Sequence, residues 1–378
     1  PNLPNNPLTL MSWSFKIGKL FGIDVFVHFT FLLLLGFIGL SHWIQTRELA
    51  ATLAGVGFFV ALFVCVLLHE FGHALTARRY GIKTRDITLL PIGGLARLER
   101  MPDKPMQEFW VAVAGPAVNV VIAGAIFAYL FATSALVPME QLSVTDGSFL
   151  ARLAAVNVFL VLFNMLPAFP MDGGRVLRSL LATRMDYSRA TNIAARLGQF
   201  MAFVFGFVGL FWNPFLIFIA LFVWIGAQQE AGLAQMKSAL VNTPMRAVMI
   251  TEFRTLAPDE TLARAVEHIL AGFQQDFPVV ERDGRLVGML TRSDLIRALS
   301  GGGSTALVGD EMQRKFQTAG PMDMAEGALE RLQECACLSL PVVQNGRLVG
   351  LLTAENLGEF LMIQTALRGG KPAPATPA

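Results

Sequence analysis

Long apolar runs separated by short polar stretches fill residues 1–232, while residues 244–366 show the mixed pattern of an ordinary soluble domain. Residues 1–12 read as a flexible lead. Ser14–Val27 alternates roughly between apolar and polar positions, with Gly18 and Gly22 where turns would fall, which predicts a small β-hairpin. Six apolar segments follow, at about His28–Ile44, Thr52–Ala74, Phe109–Phe131, Leu150–Leu166, Ala195–Phe211 and Pro214–Gly232. Each approaches the ~20 residues that carry a helix across a bilayer. Between the second and third lies Ile87–Leu98, apolar and strand-like but broken by Pro91, Gly93 and Gly94. Irregular backbone of this kind survives at membrane depth only when buried in protein or lining a wet cavity. The pattern predicts a polytopic α-helical membrane protein with six transmembrane helices and a small membrane-associated β element, followed by an α/β soluble region.

Composition agrees: 54% of residues are hydrophobic and only 15% charged, against about 25% charged in soluble domains. A net charge of +2 gives no reason to expect a nucleic-acid partner. No cleavable signal peptide is evident, because the first apolar stretch is not preceded by a short basic region. Cys65, Cys335 and Cys337 are too few for a disulfide framework, and Cys335-Ala336-Cys337 lacks the spacer of a zinc or redox pair. Charge orients the spans. The 76–106 and 175–196 loops hold seven and five Lys/Arg, the 45–51 loop holds one, and the 134–148 loop none. Positive loops stay inside, so both termini and the soluble region are expected in the cytoplasm of a prokaryotic cell.

The second apolar segment ends in His69-Glu70-Phe71-Gly72-His73. Histidines four apart share one helix face, the arrangement that binds zinc in H-E-x-x-H proteins while the glutamate manages protons. Ionisable groups near the end of a membrane helix are usually functional. A catalytic zinc takes three protein ligands and an open position. Asp172, the only acidic residue between Asp146 and Asp186, is the candidate third ligand. It follows the fourth segment, where Pro167, Pro170, Gly173 and Gly174 should unwind the helix. The second and fourth segments run the same way across the membrane, so His69, His73 and Asp172 meet at one depth. Glu70 would act as general base and Asn164 would donate to an oxyanion or clamp substrate backbone; satisfying freed backbone groups is the other reading of Asn164. Gly93-Gly94 either pairs with an unwound substrate strand or forms a tight turn. His28 and His42 read as interfacial polar residues, and Gly115-Pro116 as helix packing.

Together, His69-Glu70-Phe71-Gly72-His73 and Asn164-Met165-Leu166-Pro167-Ala168-Phe169-Pro170-Met171-Asp172-Gly173-Gly174-Arg175 resemble the motifs of the site-2 protease family of intramembrane zinc metalloproteases. Leu90-Pro91-Ile92-Gly93-Gly94 and Ala114-Gly115-Pro116 look like further family features, and the resemblance spans about residues 14–232. It implies one zinc per chain and regulated cleavage of a transmembrane protein substrate within the lipid bilayer. Met171 stands where the family commonly has leucine.

Residues 278–295 and 341–357 repeat with a period of 62–63 residues, each copy carrying a turn at Asp283-Gly284 or Asn345-Gly346. The repeat resembles a tandem pair of cystathionine-β-synthase (CBS) domains, which implies binding of an adenine nucleotide such as ATP or AMP. The resemblance places phosphate and ribose contacts at Thr291 and Asp294; the second copy keeps Thr353 but has Asn356 in the acidic position. Use of the pair for homodimerisation or substrate docking is the competing reading. The expected organisation is a protease domain at 1–232, a linker at 233–243, CBS domains at 244–300 and 301–366, and a disordered tail at 367–378. A CBS-gated transporter or ion channel, with the histidines as an ion site, is the alternative function.

Overall fold

The computed structural model describes residues 13–102, 104–133, 147–272, 274–335 and 339–369. The expected lead, most of the 134–148 loop, Cys337 of the Cys335–Cys337 pair and most of the tail lie outside the described residues. The chain divides into two compact units, Pro1–Ala234 and Gln235–Ala378.

The first unit opens with the expected hairpin, β1 (Ser14–Leu20) and β2 (Ile23–His28), turned at Phe21 and Gly22 with φ of 50° and 86°. Two long helices follow, α1 (Phe29–Thr46) and α2 (Leu49–Arg79). His28, read as interfacial, serves as a helix cap, its Nδ1 accepting the Thr30 amide at the start of α1. Strands β3 (Thr84–Leu90) and β4 (Gly93–Leu98) then complete a four-stranded sheet of order β1-β2-β3-β4. The β2–β3 pairing is parallel, so the hairpin and the Ile87–Leu98 segment join in one sheet that local pattern alone does not show. Ile23, Val25 and Ile87 pack against Phe71 and Ala74 of α2. That contact turns one face of the H-E-x-x-H helix to the sheet and leaves His69 and His73 for the opposite side.

Helices α3 (Pro105–Ala132), α4 (Phe149–Asn164), α5 (Asp172–Ala182), α6 (Tyr187–Phe211) and most of α7 (Phe215–Leu240) complete the unit, the residues of α7 from Gln235 onward belonging to the second. Among the described residues five helices, α1, α2, α3, α6 and α7, are long and apolar enough to cross a membrane. The remaining expected span coincides with α4, whose 16 residues reach about 24 Å, short of a ~30 Å hydrocarbon core. A second departure is α5, which occupies a stretch read as a basic loop. Its arginines counted toward the charge of that loop, yet Arg178 is buried against carboxylates from other helices. Such pairing across distant segments leaves no local mark.

The second unit contains two similar halves. In the first, α8 (Leu262–Ala271) precedes an antiparallel pair, β5 (Phe277–Val280) and β6 (Leu286–Leu290), followed by α9 (Arg292–Gly302) and the short α10 (Val308–Glu311). In the second, α11 (Ala325–Cys335) precedes β7 (Ser339–Gln344) and β8 (Arg347–Thr353), then α12 (Ala354–Gly369). The halves interlock: Ile250 bridges to Leu351, and Gln313, one period later, bridges to Met289. Asp276 and Ser339, also one period apart, meet directly, the Ser339 hydroxyl donating to Asp276 Oδ2 at 2.5 Å. Each half has its own core, around Phe277, Val279 and Leu290 in one and Leu340, Val342 and Leu352 in the other.

Candidate metal centre

Helices α2, α3 and α5 converge on His69, His73 and Asp172, all three buried. His69 Nε2 lies 3.1 Å from His73 Nε2, and each is 3.2 Å from Asp172 Oδ2. Two nitrogens and one carboxylate oxygen thus form a nearly equilateral triangle. Ligands on a tetrahedral zinc with bonds of about 2.1 Å stand roughly 3.4 Å apart, close to this spacing. The donor set fits zinc, with two imidazoles and one carboxylate leaving a fourth position open.

The ring nitrogens facing away from the triangle are both used. His69 Nδ1 donates to Asn119 Oδ1 at 2.6 Å, and His73 Nδ1 donates to the Val111 carbonyl at 2.7 Å. Each bond holds the N–H at Nδ1 and leaves the Nε2 lone pair directed at the metal. Asn119 is in turn fixed by donating to Asn157 Oδ1 at 2.8 Å, and Asn157 donates to Leu153 O at 2.8 Å. Asn119 and Asn157 are completely buried. They went unnoticed in the sequence, though an asparagine amid an apolar run was the available signal.

Glycine sets the approach of the backbones. A Cβ on Gly115 would stand 2.2 Å from His73 Nε2 and 2.7 Å from His69 Nε2, inside the space of the cluster itself. Gly115, expected as packing, is therefore what keeps the ligand face of α3 open. A Cβ on Gly173 would stand 2.3 Å from Leu166 O, so the proline-bracketed loop can fold back over the start of α5 and deliver Asp172 as its first helical residue.

Glu70 is half-buried beside the cluster, and a Cβ on Gly94 would come within 2.5 Å of its Cγ. Gly93 and Gly94 open β4, an edge strand of the sheet, where they pair with Leu90 and Leu89 of β3 directly after the turn at Pro91-Ile92. Asn164 ends α4, and its amide donates to Leu160 O at 3.0 Å. That bond belongs to the backbone-satisfying reading, and the second amide proton is left for another acceptor.

In the second unit the residues expected at nucleotide separate. Asp294 is buried and engaged by Thr291 Oγ1 at 2.5 Å, Gln313 Nε2 at 2.6 Å and Arg297 Nη2 at 2.9 Å. Thr353 instead lines a cavity of about 1080 Å³ with Asn356, Ile250, Arg254, His268 and Asp276 among its walls. Thr291 and Asp294 do not line it. Asn356 Oδ1 is buried there without a partner among the described residues. Burial, with Arg264 and Arg254 nearby, pushes His268 below the usual histidine range, and Arg254 donates to its Nδ1 at 3.3 Å.

The chain matches the model of peptidase family M50 over residues 57–146 and 135–205, and that of the CBS domain over 245–301 and 308–362. A zinc metalloprotease of Methanocaldococcus jannaschii is 31% identical over 92% of this chain and 96% of its own length. A solved site-2 protease from Methanocaldococcus jannaschii is 34% identical, covering 58% of this chain and 95% of that one, with a TM-score of 0.43. A CBS-domain pair solved with 5-methylthioadenosine and S-adenosyl-L-methionine is 21% identical, covering 34% of this chain and 98% of that one, with a TM-score of 0.28.

Proposed function

This chain belongs to peptidase family M50 as a zinc metalloprotease with CBS domains, and we propose that it cuts membrane-protein substrates within a transmembrane segment. The observation that carries this reading is the buried His69–His73–Asp172 triangle at the convergence of α2, α3 and α5. His69, His73 and Asp172 hold the zinc, which when bound supplies a Lewis acid for the scissile carbonyl and lowers the pKa of water. Glu70, next in sequence to the first ligand, accepts the proton of the attacking water and returns it to the leaving amine. Asn164 donates its remaining amide proton to the substrate carbonyl. The open edge of β4, with Gly94 against Glu70, receives an unwound substrate segment as an added strand. The basic loops keep both termini and the CBS pair in the cytoplasm. Residues 1–232 act as the protease domain, 233–243 as the linker, and 244–366 as a regulatory pair responding to an adenine nucleotide in the cavity at Thr353. Membership of a metalloprotease family sets the transporter alternative aside.

The test is Glu70→Gln in the purified full chain, with a model transmembrane substrate and zinc determined by elemental analysis. Zinc content should match wild type while cleavage falls by about 10²–10⁴-fold. Cleavage at the wild-type rate would remove Glu70 as the base. His69→Ala should lose zinc and cleavage together.

A further inference from the structure

Outside the metal centre, the first unit buries a second set of charges for which the proposed chemistry has no use. Arg178, on α5, is 2% exposed. Its Nε donates to Glu108 Oε1 of α3 at 2.8 Å, its Nη2 contacts the same oxygen, and its Nη1 donates to Glu230 Oε2 of α7 at 2.8 Å. The guanidinium carbon also lies 4.9 Å from the ring centroids of both Phe169 and Tyr187. One side chain thus ties α5 to α3, to α7, to the start of α6 and to the loop that precedes Asp172. Buried ion pairs add little net stability after desolvation, and fixing one arrangement among alternatives is their best-attested use.

What Arg178 fixes follows from its neighbours. It lies six residues after Asp172 on the 11-residue helix α5, less than two turns away. Its partner Glu108 lies three residues before Val111 on α3, on the same helix face, and the Val111 carbonyl holds His73 Nδ1. The contact therefore sets α5 against the turn of α3 that orients a histidine ligand. Phe169, stacked on the guanidinium, braces the loop on the other side of Asp172 and is fully buried. This brace adds a directional charged contact to the close backbone packing of α5 at Gly173 and Gly174.

We propose that Arg178 is a positioning residue for Asp172, holding α5 so that this carboxylate stays with the two imidazoles. The inference rests on the reading of His69, His73 and Asp172 as zinc ligands. Lysine retains the charge at 178 but cannot fork to two carboxylates or stack between two rings. Arg178→Lys in the full chain should weaken zinc roughly 10- to 100-fold in competition with a chromophoric chelator. Its cobalt-substituted form should lose the strong visible absorption of four-coordinate cobalt, which a purely structural residue would leave unchanged in folded protein. If Arg178→Lys fails to fold, Glu230→Gln keeps the Glu108 contact and should show the same spectral change with a smaller loss of affinity.

Wild-type affinity and spectrum in Arg178→Lys, or in Glu230→Gln where only that variant folds, overturn the proposal. Asp172→Ala separates the two readings. If it binds zinc as tightly as wild type, the ligand assignment fails and this inference with it. If Asp172→Ala is weak and the Arg178 variant is not, only the positioning role fails.

Discussion

The metal cluster of the first unit and the cavity of the second are built on opposite plans. In the cluster, three donor atoms stand 3.1–3.2 Å apart, and both imidazoles have their far nitrogens held by α3. In the cavity, Thr353, Asn356, Arg254, His268 and Asp276 surround about 1080 Å³ of open space. The difference predicts how each responds to change. A preorganised cluster tolerates no added atom and loses affinity steeply when its supports go. A roomy cavity spreads recognition over several modest contacts and responds by degrees.

The sharpest test of that contrast is Gly115→Ala. Its methyl would fall 2.2 Å from His73 Nε2 and 2.7 Å from His69 Nε2, on imidazole rings whose far nitrogens are already held by α3. Zinc affinity should drop by more than about 100-fold, read by chelator competition. Gly124→Ala on the same helix is the control, because among the described residues nothing lies within 4 Å of the added carbon. It should leave zinc unchanged and stabilise α3 by about 0.5–1 kcal/mol. Equal zinc affinity in the two variants would mean that the cluster is not as closed as its distances indicate. Asn119→Ala comes next. It removes the acceptor that holds His69 Nδ1 and should weaken zinc by about 10- to 100-fold, with Asn119→Asp recovering part of the loss. If Asn119→Ala binds zinc normally, the tautomer of His69 is set by something else.

The two plans also explain what could be read in advance. His69 and His73 announce themselves, because four-residue spacing on a helix is a local signal. Asp172 was reachable through its isolation and the broken helix before it. The hairpin, the long helices and the repeat followed from periodicity. What escaped depends on contacts between residues far apart: His69 with Asn119 across 50 positions, Asn119 with Asn157 across 38, and Arg178 with Glu108 across 70. No window of sequence contains both partners. Gly115 looked like packing because a small residue in a membrane helix usually is packing; only three-dimensional placement shows the ligands against it. In the second unit the CBS resemblance led to Thr291 and Asp294, matched in the second copy by Thr353 and Asn356. Their surroundings differ, since Asp294 is engaged by three side chains and Asn356 has an oxygen without a partner among the described residues.

That asymmetry gives the next test of the comparison. With AMP or ATP titrated calorimetrically into the full chain, Thr353→Val and Asn356→Ala should each weaken binding by about tenfold. That is the effect of losing one hydrogen bond worth about 1–1.5 kcal/mol. Asp294→Ala should change affinity much less and act on stability instead, because it leaves Gln313 and Arg297 without their carboxylate. The reverse ranking would move the nucleotide to the first copy. No binding of either nucleotide would leave the cavity without its proposed ligand.

The smallest expected effects are titrations within the second unit, where two groups of opposite kind divide the pH range. His268 is held below its ordinary value by burial and by Arg264 and Arg254, with Glu260 and Glu267 acting more weakly the other way. The unfolded chain therefore binds this proton more readily than the folded one. Stability is fully present above an unfolded value of about 6.5 and is lost as pH falls below it. Asp323 is held low mainly by the Gly320 amide, 3.0 Å from Oδ2, and by Arg331. Its contribution is present above an unfolded value of about 3.9 and fades as pH falls through the lower folded value. Tm of the second unit should therefore fall in two steps on acidification. His268→Gln should abolish the step that begins below about pH 6.5 and keep the acid one, while Asp323→Asn does the opposite. If His268→Gln and wild type lose the same Tm between pH 7.5 and 5.5, the histidine is not the group that titrates.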